Sequence, residues 1–166
     1  RCRHPAFPCL KCRTGLLLDS RMTDTHAESA TPPEKTRILT VDDDPDCLKL
    51  LGHILRVGGY DVSALRHPEG LPQALKTEKP ALVITDIMMP GLTGGMVYKQ
   101  IRSLAGPHMP VIVSSGTSLR LRVEDPLLAF CPKPVEMSTV LPLVADLLAA
   151  AERIRAAGAG ADADLD

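Results

Sequence analysis

The sequence predicts an α/β domain, a parallel sheet with helices on both faces, and three observations carry that prediction. From Arg37 onward, apolar runs of strand length alternate five times with helical stretches. The run Ala81-Leu82-Val83-Ile84-Thr85-Asp86 is apolar on both faces of its pleat, as an inner strand of a parallel sheet must be. Polar residues suited to chemistry stand directly after the strands. Right-handed crossovers with short connections then gather those residues along the carboxyl edge of the sheet, where open α/β sheets place their sites.

Each element has its own warrant. Ile38–Val41 is a short apolar strand. In Asp44-Pro45-Asp46, an acid able to cap a helix precedes a proline suited to the first helical position. Leu48, Leu51 and Leu55 then form a helical apolar stripe, and Gly58-Gly59 supplies a left-handed exit. Tyr60–Ala64 is the second strand. Pro68 to about Lys76 is a short helix, weakened by Gly70 and Pro72. The strand ending at Asp86 breaks at Pro90-Gly91. Thr93 is expected to cap a helix over Gly94–Ser103, with Val97 and Ile101 facing inward. Pro110–Ser114 is the fourth strand. Residues 119–128 hold Pro126 and no clean apolar stripe, which predicts a short or distorted fourth helix. Ala129–Cys131 is the fifth strand, and a last helix runs to about Ala156, bent or restarted at Pro142.

Composition bounds the function. At 166 residues there is room for one domain plus tails. Residues 1–36 read as a disordered N-terminal extension, 37–156 as the domain and 157–166 as a flexible acidic tail. Two Phe, two Tyr and no Trp imply an aliphatic core and disfavour a base-stacking surface. A formal net charge of -1 with no basic face disfavours direct nucleic-acid binding. No apolar stretch has the length to span a bilayer, so no membrane partner is expected. Five cysteines, an odd number, fit a reducing, cytoplasmic compartment. Cys2, His4, Cys9 and Cys12 offer metal-ligand types, and the Cys9-x-x-Cys12 spacing suits zinc. Cys2-x-His4 is an unusual companion to that pair, so the stretch is read as irregular sequence ahead of a domain. Met22 is read as a candidate initiator.

The strand ends carry the chemistry. Asp42 and Asp43 follow the first strand, Asp86 ends the third, Ser115-Gly116 follow the fourth and Lys133 follows the fifth. Any one of these is ordinary on its own: an N-cap, a turn, a surface lysine. In this order, at four strand ends of one sheet, they define a site. Three gathered carboxylates repel one another without a cation, and hard oxygen donors select Mg²⁺. Lys133 makes the pocket attractive to a phosphoryl group, Ser115 has a hydroxyl to donate to it, and Asp86 is the carboxylate nucleophile.

Ile38-Leu39-Thr40-Val41-Asp42-Asp43-Asp44-Pro45-Asp46, Ile84-Thr85-Asp86-Ile87-Met88-Met89-Pro90-Gly91, Pro110-Val111-Ile112-Val113-Ser114-Ser115-Gly116 and Lys133-Pro134 resemble the receiver domain of bacterial response regulators, over about residues 36–155. The resemblance implies a flavodoxin-like three-layer (βα)5 fold with strand order 2-1-3-4-5. It implies that Asp86 accepts phosphate from the phosphohistidine of a sensor histidine kinase or a histidine phosphotransfer protein. Mg²⁺ would be bound by Asp43, Asp86 and the Met88 backbone carbonyl, with Asp42 helping mostly through water. Lys133 would pair with the phosphoryl group, while Ser115 and Phe130 would form the switch toward a downstream protein. The chain departs from the pattern between Ser115 and Lys133, where it is shorter by about one helical turn. Two rivals remain at this stage. A pseudo-receiver would keep the fold without phosphorylation. A flavin-binding relative would need a phosphate-cradling loop where Asp42-Asp43-Asp44 stands.

Overall fold

The computed structural model describes residues 35–116 and 124–161, without the side chains of 92–94 and 159–161. In chain order the elements are β1 (Arg37–Val41), α1 (Pro45–Val57), β2 (Asp61–Leu65), a 3-10 turn (Pro68–Gly70), α2 (Leu71–Glu78), β3 (Leu82–Asp86), β4 (Met88–Met89), β5 (Leu92–Thr93), α3 (Gly94–Ala105), β6 (Val111–Ser115), β7 (Leu128–Pro132) and α4 (Met137–Ala161). Five strands form one sheet in the order β2-β1-β3-β6-β7, every neighbouring pair parallel. Counted by its long strands alone, this is the 2-1-3-4-5 order that the resemblance implied.

Strand alternation divides the core into two layers. Ile38, Ile84 and Ile112 pack toward α1 and α4, against Leu55 and Val144. Leu39, Val83 and Val113 point the other way, toward α2 and α3, against Leu71, Val97 and Ile101. All five residues of β3 are buried, as its two-sided apolar pattern requires. The stripe on α1 is buried at Leu48, Leu51 and Leu55. Asp44 caps that helix, its side chain accepting the Asp46 N–H at 2.8 Å, and Gly59 exits it at φ 92.

Several expectations change. The chain after Asp86 is not a simple break: β4 and β5 pair antiparallel around Pro90-Gly91. Gly91 sits at φ 80, so the Pro-then-Gly order suits a type II turn. The segment after His67 divides into a 3-10 turn and α2. The expected helix over 119–128 falls partly on residues 117–123, outside the described ones. From Glu124 the chain is not helical, and Leu128 already begins β7. Asp125 accounts for this, because its side chain accepts the Leu127 N–H at 2.8 Å and its carbonyl the Leu128 N–H at 3.2 Å. Those turn bonds replace a helical ladder.

The last helix does not restart at Pro142, which lies inside one continuous α4. The proline forfeits one backbone bond, and the buried face of Val140, Val144, Leu147 and Ala151 holds the helix together. α4 also continues past the expected end at Ala156 to Ala161, in an alanine-rich stretch that favours helix over the expected loose tail. The expectations for residues 1–34, including Cys2, His4, Cys9, Cys12 and Met22, lie outside the described residues, as does the Thr93 side-chain cap. Among the described residues no helix is long and apolar enough to cross a membrane.

Candidate functional site

The site is assembled where β1, β3, β6 and β7 end. β1 and β3 are neighbours, with Val41 opposite Thr85, so the residues that follow Val41 stand beside Asp86. Asp42 is buried; its Oδ1 accepts the Asp44 N–H at 2.9 Å and its own N–H donates to the Leu65 carbonyl at 3.2 Å. Asp43 is half-buried. Asp44, the third acid of the run, is exposed and serves α1. Its pKa is lowered first by the Asp46 N–H and then by Cys47. Asp86 is 7% exposed, its Oδ1 accepting the Ile87 N–H at 2.7 Å. Oxygens of Asp42, Asp43 and Asp86 lie within 4.8 Å of one another.

Lys133 closes the pocket from β7. Its Nζ donates to Asp42 Oδ2 at 2.8 Å and pairs with Asp86 Oδ2 at 3.0 Å. The Lys133 N–H donates to the Ser115 carbonyl at 2.9 Å, and the Lys133–Pro134 peptide is cis. Burial by itself would lower the lysine's pKa, but the hydrogen bonds to Asp42 and Asp86 overcome it and hold the pKa above the ordinary value. Among the described residues, three carboxylates face one ammonium here and leave two formal negative charges, which a divalent cation would offset. An all-oxygen donor set with that deficit fits Mg²⁺ or a similar hard ion.

Asp42, Asp43, Asp86 and Lys133 are therefore brought together. Ser115 is buried at the end of β6, opposite Pro132, and touches Lys133 through its backbone. Met88 opens β4 two residues past Asp86, with a side chain 62% exposed. Phe130 sits on β7, three residues before Lys133. It is partly buried in the layer beneath α2 and α3, opposite Val113 on β6.

The other end of the sheet holds a polar cluster that the sequence reading missed. Arg102 of α3 pairs with Asp125 at 2.6 Å, and the Tyr98 hydroxyl donates to Asp125 at 2.5 Å. The one local signal is the spacing of Tyr98 and Arg102, one helical turn apart on the same face.

A five-stranded parallel sheet in this order, with an acidic cluster and a lysine at its carboxyl edge, is a receiver-type architecture. The sequence profile of the response regulator receiver domain matches residues 38–126, just over half of the chain, and the chain belongs to that family. It is 35% identical over 116 residues to the transcriptional regulatory protein GlrR of Escherichia coli K12, a match covering 67% of this chain and 26% of GlrR. It is 41% identical over 66 residues to the alkaline phosphatase synthesis transcriptional regulatory protein PhoP of Bacillus subtilis, covering 40% of this chain and 28% of that protein. The chain thus matches about a quarter of the length of such relatives. Among solved structures, the receiver domain protein from Clostridium thermocellum superposes with a TM-score of 0.64 at 24% identity, over 72% of this chain and 98% of that one. A CheY-like receiver domain protein from Methanospirillum hungatei gives 0.63 at 25% identity, over 72% and 98%.

Proposed function

We propose that this chain is a phospho-accepting switch: Asp86 takes a phosphoryl group from the phosphohistidine of a sensor histidine kinase or histidine phosphotransfer protein. The observation that carries the reading is the convergence of Asp42, Asp43 and Asp86 within 4.8 Å, with the Lys133 ammonium reaching two of them. In the transfer, an Asp86 carboxylate oxygen bonds to phosphorus while the phosphorus–nitrogen bond breaks, its electron pair returning to the imidazole. The product is an acyl phosphate, and attack by water on phosphorus restores the carboxylate. No separate substrate is turned over, so the chain is not an ordinary enzyme.

The cofactor that fits is Mg²⁺, which Asp43, Asp86 and the Met88 carbonyl would hold directly and Asp42 mostly through water; when bound, it would offset the charge that the carboxylates and phosphoryl oxygens share. Lys133 stays charged at neutral pH and is placed to exchange its carboxylate partners for phosphoryl oxygens. Ser115 supplies a hydroxyl toward the same group, and Phe130 moves with it, presenting a changed surface to a downstream protein. Contacts made in only one of two states are what shift such an equilibrium. The working domain begins at Arg37 and includes α4, acting in the cytoplasm through protein partners, without direct contact to nucleic acid or membrane.

Acetyl phosphate with Mg²⁺ tests the reading. One phosphoryl group per chain is expected on intact-protein mass, and none in Asp86→Asn, whose circular dichroism should match the parent. Equal labelling of that variant would refute the assignment. No labelling of the parent would favour a pseudo-receiver.

A further inference from the structure

At the amino ends of the strands, one guanidinium touches the chain just ahead of both β6 and β7. Arg102 donates through Nη1 to the carbonyl of Met109, two residues before β6. Through Nη2 it donates at 3.4 Å to the carbonyl of Leu127, the residue before β7. Its Nε and Nη2 also reach Asp125 Oδ2 at 2.9 and 2.6 Å. The Tyr98 hydroxyl donates to that same oxygen at 2.5 Å, and its ring lies 4.9 Å from the guanidinium carbon. Leu127 N–H takes the other Asp125 oxygen at 2.8 Å. The side chains of Arg102 and Asp125 are only 16% and 11% exposed, so water competes weakly for either charge.

The position matters because, among the described residues, β7 is an edge strand, paired on one side with β6. Side chains alternate along a strand. A slip of one residue therefore turns every group over, and a slip of two carries it roughly 6–7 Å along. Lys133 follows β7 directly, and its contacts with Asp42 and Asp86 are 2.8 and 3.0 Å long. Neither slip is compatible with those contacts. The register Val111↔Leu128 through Ser115↔Pro132 is therefore what delivers the ammonium to the pocket. Arg102 bridges the starting points of both strands, beside the backbone bond from Val111 N–H to the Leu127 carbonyl at 2.8 Å.

We infer that Arg102 is a positioning residue: with Tyr98 and Asp125 it pins the β6–β7 register, and so sets where Lys133 and Phe130 stand at the far end of the sheet. This deepens the proposed function and rests on Lys133 and Phe130 being the groups that answer the phosphoryl. The chain has two phenylalanines, Phe7 and Phe130, so 4-fluorophenylalanine labelling of the full chain gives a fluorine signal for Phe130 that a Phe130→Leu variant assigns. The measurements are amide exchange in the free protein, Mg²⁺ affinity, and the Phe130 fluorine shift on adding beryllofluoride with Mg²⁺.

Arg102→Met should speed exchange at Leu128–Cys131 by about tenfold while β1 and β3 keep their protection. Its Mg²⁺ affinity should stay within about twofold, since the acidic ligands follow other strands, and its Phe130 response should fall by about threefold or more. Arg102→Lys should restore part of that response. Tyr98→Phe, which removes one hydroxyl, should show the same pattern more weakly and covers the case in which Arg102→Met does not fold. Exchange that rises evenly over all strands, with a parental Phe130 response, would overturn the inference and leave a purely structural ion pair. Faster exchange confined to β7, in a protein whose parent never answers beryllofluoride, would uphold the register pin and refute the phospho-switch instead.

Discussion

The two ends of this sheet handle charge in opposite ways. At the carboxyl edge, among the described residues, Asp42, Asp43 and Asp86 face the Lys133 ammonium, and the carboxylates outnumber it. At the amino end, one carboxylate meets one guanidinium with a tyrosine hydroxyl and several backbone groups, so charge and hydrogen bonds are balanced. The balanced cluster is built to hold still. The unbalanced pocket gives up stability in the free protein, and a bound cation or a covalent change can then alter it.

That contrast can be broken most forcefully at Arg102. Arg102→Met leaves the half-buried Asp125 carboxylate without its guanidinium and should lower unfolding free energy by about 2–3 kcal/mol, read by denaturant melts at constant m. Asp125→Asn, which keeps some hydrogen bonds, should cost about 1–3 kcal/mol. The same change of acid to amide at the other end has the opposite sign. Asp43→Asn relieves repulsion and should raise stability by about 0.5–1 kcal/mol in metal-free, low-salt buffer, the gain shrinking as salt is added. If both substitutions destabilise equally in the absence of metal, the two ends are not different in kind.

Titration sharpens the comparison further. Burial opposes the Asp125 carboxylate, but hydrogen bonds from Tyr98, Leu127 and Arg102 hold its pKa below the ordinary value. Its contribution is therefore complete above about pH 4, the unfolded value, and is lost as pH falls through the depressed folded pKa. Lys133 is raised, so its contribution is complete below about pH 10.4 and is lost as pH climbs through the folded value. Acid melts of Asp125→Asn and alkaline melts of Lys133→Met, each against the parent, should lose the corresponding slope. A parental slope in either variant contradicts its assignment.

The pocket was legible in the sequence because each of its members announces itself locally. Asp86 ends an unmistakable buried strand, Asp42 and Asp43 sit between a strand and a capped helix, and Lys133 follows a short apolar run. Topology alone then brings them together. The opposite end had no such signal: Arg102 and Asp125 are far apart in sequence, and a basic residue on a helix reads as solvated until a partner is seen. The strands β4 and β5 were missed for a related reason, since two-residue strands are too short to show a period. The extra length of α4 followed from alanine propensity, which the paired glycines Gly158 and Gly160 obscured.

Calorimetric titration of the folded, metal-free chain with Mg²⁺ tests the central claim most directly. One ion per chain, taken up at millimolar concentrations or below and lost in Asp43→Asn, is the predicted result. A parent that takes up no Mg²⁺ under those conditions, or an Asp43→Asn variant that takes it up as well as the parent, would contradict it.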